Sequence, residues 1–115
     1  MKALSIPIFL AGLALVPAHA TAPNPASAAL ITQAQDAVGK GNTQLALRMA
    51  QAAIVADPAS TAPYVALGDL YARQGHAEFA RFYYEAALQI DPQDASALRA
   101  IAALSTPAQA ASNTP

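Results

Sequence analysis

Cysteine and tryptophan are both missing from the 115 residues, so no disulfide framework, thiolate metal site or lipid-modified cysteine enters the account. Charge is scarce as well: charged residues make up 11% of the chain, with 6 Lys+Arg against 7 Asp+Glu and no clustered basic run. A surface that tracks phosphates needs such a run, which sets nucleic acid aside as a partner. Aromatics reach only 6%, too few for a β-sandwich core. Hydrophobic residues nevertheless amount to 55%, much of it alanine, a composition that suits closely packed helices in a single domain. With His19 and His76 the only histidines and no phosphate-binding glycine loop, the parts of an enzyme, a metal centre or a cofactor site are lacking.

The N-terminus, MKALSIPIFLAGLALVPAHA, places one cation, Lys2, before an apolar run from Leu4 to Val16 and then the small-x-small site Ala18-His19-Ala20. That order predicts a secretory signal peptide over residues 1–20 with cleavage after Ala20. A bilayer-spanning helix needs ~20 apolar residues, and this run is shorter and interrupted by Pro7. The expectation is a chain without a stable membrane anchor after cleavage, exported to a bacterial periplasm.

Beyond residue 26 the sequence repeats itself. GNTQLALRMAQAAIVADP (41–58) and GHAEFARFYYEAALQIDP (75–92) align without a gap at a period of 34 residues. Gly41 pairs with Gly75, Ala46 with Ala80, Ala53 with Ala87, Asp57 with Asp91 and Pro58 with Pro92. On these residues the chain resembles the tetratricopeptide repeat family, whose unit is a pair of antiparallel helices. In the second copy Tyr64, Leu67, Gly68, Tyr71, Ala80, Tyr84, Ala87 and Pro92 occupy the family's signature places. The first copy departs from them, with Gln33, Ala37 and Ala50 where Leu67, Tyr71 and Tyr84 stand.

The spacing carries its own physics. Tyr64, Leu67 and Tyr71 share one stripe of a helix, beside a glycine, Gly68, that admits a neighbouring helix. Ala80, Tyr84 and Ala87 form the answering face, alternating small and large. Gly41 and Gly75 supply left-handed turns between helices, and Asp57-Pro58 and Asp91-Pro92 stop the second helix of each pair. Asp94 reads as the N-cap of a fifth helix with Leu98, Ile101 and Leu104 on its apolar face, ending at Thr106-Pro107. The spacing predicts helices throughout, and the resemblance implies their arrangement: an all-α fold, a right-handed stack of antiparallel helix hairpins. Its parts are a disordered segment 21–26, repeats at 27–60 and 61–94, a capping helix at 95–104 and a disordered tail at 105–115.

Function is expected to be non-enzymatic binding of a protein or peptide, or self-assembly through the apolar last helix into a homo-oligomer. The resemblance implies a concave groove lined by the first helix of each pair: Ile31, Gln35, Val38, Val65, Asp69, Ala72, Arg73, Ser96, Arg99 and Ala103. The basic clamp that some family members use for a partner's C-terminal carboxylates is not carried over, since Ile31, Gln35, Ala66, Ser96 and Ala100 hold its places. Among the groove residues Gln35, Asp69, Arg73 and Arg99 are the binding candidates, with Asp69 and Arg73 spaced as an i, i+4 surface pair. A second candidate surface is the flank of the second helices. Projection at 100° per residue puts Phe82 opposite the core and Phe79 at its boundary, while Leu45 and Met49 take the places of Phe79 and Tyr83 in the first repeat.

Overall fold

In the computed structural model, residues 24–105 are described; the signal-peptide expectation and most of both tails lie outside them. Among the described residues there are five α-helices and no strand: α1 (Pro25–Gly39), α2 (Thr43–Ala56), α3 (Ala62–Arg73), α4 (Ala77–Ile90) and α5 (Ala95–Leu104). None is long and apolar enough to cross a membrane. Each helix packs on its sequence neighbour, α1 on α2, α3 on α4, and α2 and α4 on the helix that follows them. The first helices also meet directly, α1 against α3 and α3 against α5, so the hairpins stack.

The turns inside the hairpins repeat in detail. Gly41 and Gly75 adopt φ of 75° and 82°, a left-handed conformation with little cost for glycine. That geometry turns the next amide back on the helix it leaves: Asn42 N–H donates to the Ala37 carbonyl at 2.8 Å, and His76 N–H to Tyr71 at 2.9 Å. Between hairpins, Asp57 and Asp91 close α2 and α4, and each carboxylate accepts an amide two residues on, from Ala59 and Gln93. The adjoining prolines cannot donate a helical hydrogen bond, and the chain leaves the helix.

The core is built mostly of alanine. Ala34, Ala37, Ala46 and Ala50 close the α1–α2 seam and join Leu67 and Leu70 of α3 in one buried cluster. The α3–α4 seam takes its bulk from Tyr84, buried between Ala80 and Ala87. Gly68 makes this possible. A Cβ built there would stand 2.6 Å from Tyr84 Cδ1 and 2.9 Å from Cζ, closer than side chains pack, so only glycine admits the ring. Repeat 1 solves the same contact the other way round, with Ala34 in place of Gly68 and Ala50 in place of Tyr84, both buried.

Two sequence expectations change here. Helix α1 opens at Pro25, inside the segment 21–26 read as a disordered tail. Asn24 caps it, its side-chain oxygen accepting from Ala26 N–H at 2.8 Å, while its own N–H donates to the Asp57 carboxylate at 3.1 Å. That tie runs from the start of α1 to the end of α2, and sequence periodicity does not report it. Leu98 of α5, expected on the buried face, is 48% exposed, and the residue that α5 buries completely is Ala97. Asp94 sets that register. Its carboxylate caps Ala97 N–H at 2.9 Å and accepts the Thr61 hydroxyl at 2.8 Å, which anchors the start of α5 to the start of α3.

Candidate interaction surfaces

The 34-residue period carries a position on one first helix to the equivalent position on the next. Gln35 maps onto Asp69 and Ala103, and Ile31 onto Val65 and Arg99, giving two rows that cross α1, α3 and α5. Because those three helices meet directly, the rows belong to one continuous side of the stack. Gln35, Asp69, Arg73 and Arg99 are all solvent-exposed, and Ile31 and Val65 are half-buried between them. The side is thus an apolar strip edged by polar and cationic groups.

Asp69 differs from its sequence reading. Its carboxylate does not pair with Arg73; it accepts the Tyr84 hydroxyl at 2.7 Å. The buried ring therefore has its polar end satisfied at the groove side of α3, as a buried phenol requires. Burial first, and then that hydrogen bond, push the Tyr84 hydroxyl well above the ordinary phenol range, with the nearby Arg73 cation offsetting a part. Sequence spacing along α3 pairs Asp69 with Arg73. The competing partner lies on another helix, and a neutral donor held in place by packing prevails over a mobile cation in water.

The second surface lies at the α3–α4 turn. Tyr71 stacks on Tyr83 with centroids 5.5 Å apart and planes parallel, Phe79 lies 5.4 Å from Tyr71, and His76 meets Tyr71 and Phe79 at 6.3 and 6.0 Å. Phe82 extends the cluster edge-on to Tyr83 at 5.2 Å. Phe82 is 62% exposed, in line with its projection; Phe79, expected at the core boundary, is 59% exposed. The boundary is filled by Tyr83, which packs against the core and leaves Phe79 outside, its ring tilted by 36° against that of Tyr71. Leu45 and Met49, their counterparts in repeat 1, are half-buried against the core, so at Leu45 the first repeat is less exposed than the second is at Phe79. A shallow depression of about 430 Å³ opens beside Phe79, lined by Gly75, His76, Ala77 and Glu78.

His76 stands at the N-cap of α4 with φ −93° and ψ 73°, and Asn42 stands at the N-cap of α2 with φ −95° and ψ 78°. Asn42 accepts the Leu45 amide at 3.1 Å, whereas His76 makes no side-chain cap and turns its ring to the aromatic cluster. Among the described residues no group of His, Asp and Glu is placed to hold a metal.

The second hairpin, with its glycine turn, small–aromatic–small seam and Asp-Pro stop, is that of a known repeat. The family model described as tetratricopeptide repeat matches residues 62–94, which takes in α3, the turn and α4. The chain carries a tetratricopeptide repeat. No curated protein matches it. Tetratricopeptide repeats are protein-interaction scaffolds, typically without catalytic activity, and the chain is in that general sense a protein–protein interaction module.

Proposed function

We propose that this chain is exported to the periplasm and works there as a small adaptor, holding a segment of another protein against the side of the stack formed by α1, α3 and α5. The observation that supports this reading most is the continuity of that side: equivalent positions on three helices align as rows, with Gln35, Arg73 and Arg99 exposed beside the apolar strip of Ile31 and Val65. A groove with cations at one end and amide and apolar groups along it suits a peptide of mixed character carrying an acidic residue. The residues proposed to contact the partner are Gln35, Asp69, Arg73 and Arg99; Phe79 and Phe82 would line a secondary contact. Export rests on the order of Lys2, the apolar run from Leu4 to Val16 and Ala18-His19-Ala20.

Photo-cross-linking in the native envelope tests the site. A photoreactive residue at 35, 73 or 99 should give an adduct with one and the same protein, and the same probe at 82 should give that adduct in lower yield. Adducts at 82 alone would move the site to the aromatic cluster. Intact-mass measurement of the periplasmic fraction tests export: the chain should begin at Thr21, and recovery with Met1 to Ala20 retained in membranes would overturn the soluble, exported reading.

A further inference from the structure

On the basis that the groove is the partner's seat, we infer that Tyr84 is a positioning residue in it. Its hydroxyl presets Asp69 as an acceptor, and Asp69 with Arg73 selects an extended partner segment bearing an acidic residue and a lysine or arginine two residues apart. The Asp69 carboxylate is exposed on α3, the middle helix of the three that form the groove, yet its Oδ1 accepts the Tyr84 hydroxyl at 2.7 Å. The anchor is itself fixed. Tyr84 is buried, with Ala80 and Ala87 beside it on α4 and its ring closed over Gly68. A surface carboxylate is thus tied to the core of the α3–α4 seam through one oxygen, while Oδ2 accepts nothing among the described residues. Half of the group stays open to a partner. Holding an exposed side chain in place normally subtracts from affinity, and here folding has already imposed the order. Repeat 1 has no such device: Gln35 stands where Asp69 stands, and Ala50 where Tyr84 stands.

The open oxygen determines what it meets. A carboxylate is an acceptor only, so the group set against Oδ2 is a donor, and a cationic donor gives the shorter and stronger bond. Arg73 makes the opposite demand. Its guanidinium is exposed, has no hydrogen bond or ion pair among the described residues, and takes an acidic group. Asp69 and Arg73 are four residues apart on one helix, which puts their Cβ atoms about 5–6 Å from each other. In an extended segment, side chains two residues apart point the same way and lie about 6.6 Å apart. The spacings match. A segment with acidic and basic residues at i and i+2 therefore meets both groups at once, and one with two acidic residues sets like charges together at Asp69.

Tyr84→Phe tests the positioning, since it removes the hydroxyl and keeps the ring that fills the seam. Three-bond couplings in the full chain should show a single χ1 rotamer for Asp69, and averaging among rotamers in the variant. The same rotamer distribution in both would overturn the role of Tyr84. Recognition is read by titrating the isotope-labelled full chain with two capped, threonine-rich peptides followed by NMR. One carries glutamate and lysine two residues apart, and the other has norleucine in place of the lysine. The lysine peptide should bind at least fivefold more tightly, with shifts at 69 and 73. Tyr84→Phe should bring that ratio close to one and leave the norleucine peptide's affinity unchanged, a split that a merely structural hydroxyl would not produce. Arg73→Gln should weaken both peptides alike. Equal binding of the two peptides, a ratio that survives Tyr84→Phe, or no binding of either would overturn the proposal. The groove itself is judged separately, by whether the cross-links at 35, 73 and 99 converge on one protein.

Discussion

At the scale of single residues, the Gly68–Tyr84–Asp69 contact carries the most consequence. Gly68→Ala forces a Cβ into the Tyr84 ring, and overpacking of this kind costs about 1–3 kcal/mol. The same substitution should cost almost nothing when Tyr84 is already alanine, because repeat 1 buries Ala34 and Ala50 at the equivalent places. Urea unfolding of the two single variants and the double variant measures this coupling; additive effects would show that the ring does not rest on Gly68. Asp69→Ala is no surface substitution either. It leaves the Tyr84 hydroxyl without its acceptor, for about 1–2 kcal/mol. The same bond gives a pH signature. The folded chain holds the Tyr84 proton more tightly than the unfolded chain, as it also holds that of Tyr83, where burial acts first and the neighbouring Tyr71 and Tyr64 add to it. A raised folded value means that the stabilisation is complete below the unfolded phenol value near 10 and is lost as pH rises beyond it. Urea midpoints should therefore hold between pH 8 and 9 and fall above about pH 10. Tyr84→Phe should flatten that fall, leaving the smaller share due to Tyr83.

At the scale of elements, the two hairpins are near copies with different caps, and this makes one a control for the other. His76 and Asn42 share backbone angles, so His76→Asn should install on α4 the cap that Asn42 gives α2. The expected gain is about 0.5–1 kcal/mol, reduced by whatever the imidazole contributes against Tyr71 and Phe79. Thermal unfolding measures it, and a loss of stability would mean that the ring contacts outweigh the cap. Much of this level was legible from sequence. Gly41, Gly75, Asp57-Pro58, Asp91-Pro92 and Asp94 each act through backbone constraints local to a few residues, which spacing along the chain reveals. What escaped has a common cause. The Asn24–Asp57 tie, the Thr61–Asp94 tie and the Tyr84–Asp69 bond each join residues on different elements, and their donors and acceptors carry no period. Phe79 shows the limit of helical projection: its angle lies near the core, yet Tyr83 fills the available space first and Phe79 stays outside. Leu98 fails likewise, because the anchoring of Asp94 by Thr61 turns Ala97 inward.

At the scale of the whole molecule, the stack presents its groove on α1, α3 and α5 and its aromatic cluster at the α3–α4 turn, and exposed side chains at each should be replaceable with little effect on folding. Gln35, Arg73 and Arg99 are exposed and make no side-chain hydrogen bond or ion pair among the described residues. Their replacement by alanine should each shift unfolding by no more than about 0.5 kcal/mol. Phe82→Ala forfeits only an edge-on contact with Tyr83 and should cost no more than about 1 kcal/mol. Changes of binding in these variants therefore report on contact, which Asp69→Ala cannot do. If the groove holds the partner, Arg73→Glu with Arg99→Glu should weaken binding by more than tenfold through charge repulsion. The loss should shrink as salt rises, since exposed charges are screened over about 8 Å at physiological ionic strength. If the aromatic cluster holds it, Phe82→Ala should remove about 2 kcal/mol or more, with little dependence on salt. Titration calorimetry with the captured partner at two salt concentrations distinguishes the two. A partner that loses affinity with Phe82→Ala and ignores the double charge reversal would place the working surface at the α3–α4 turn.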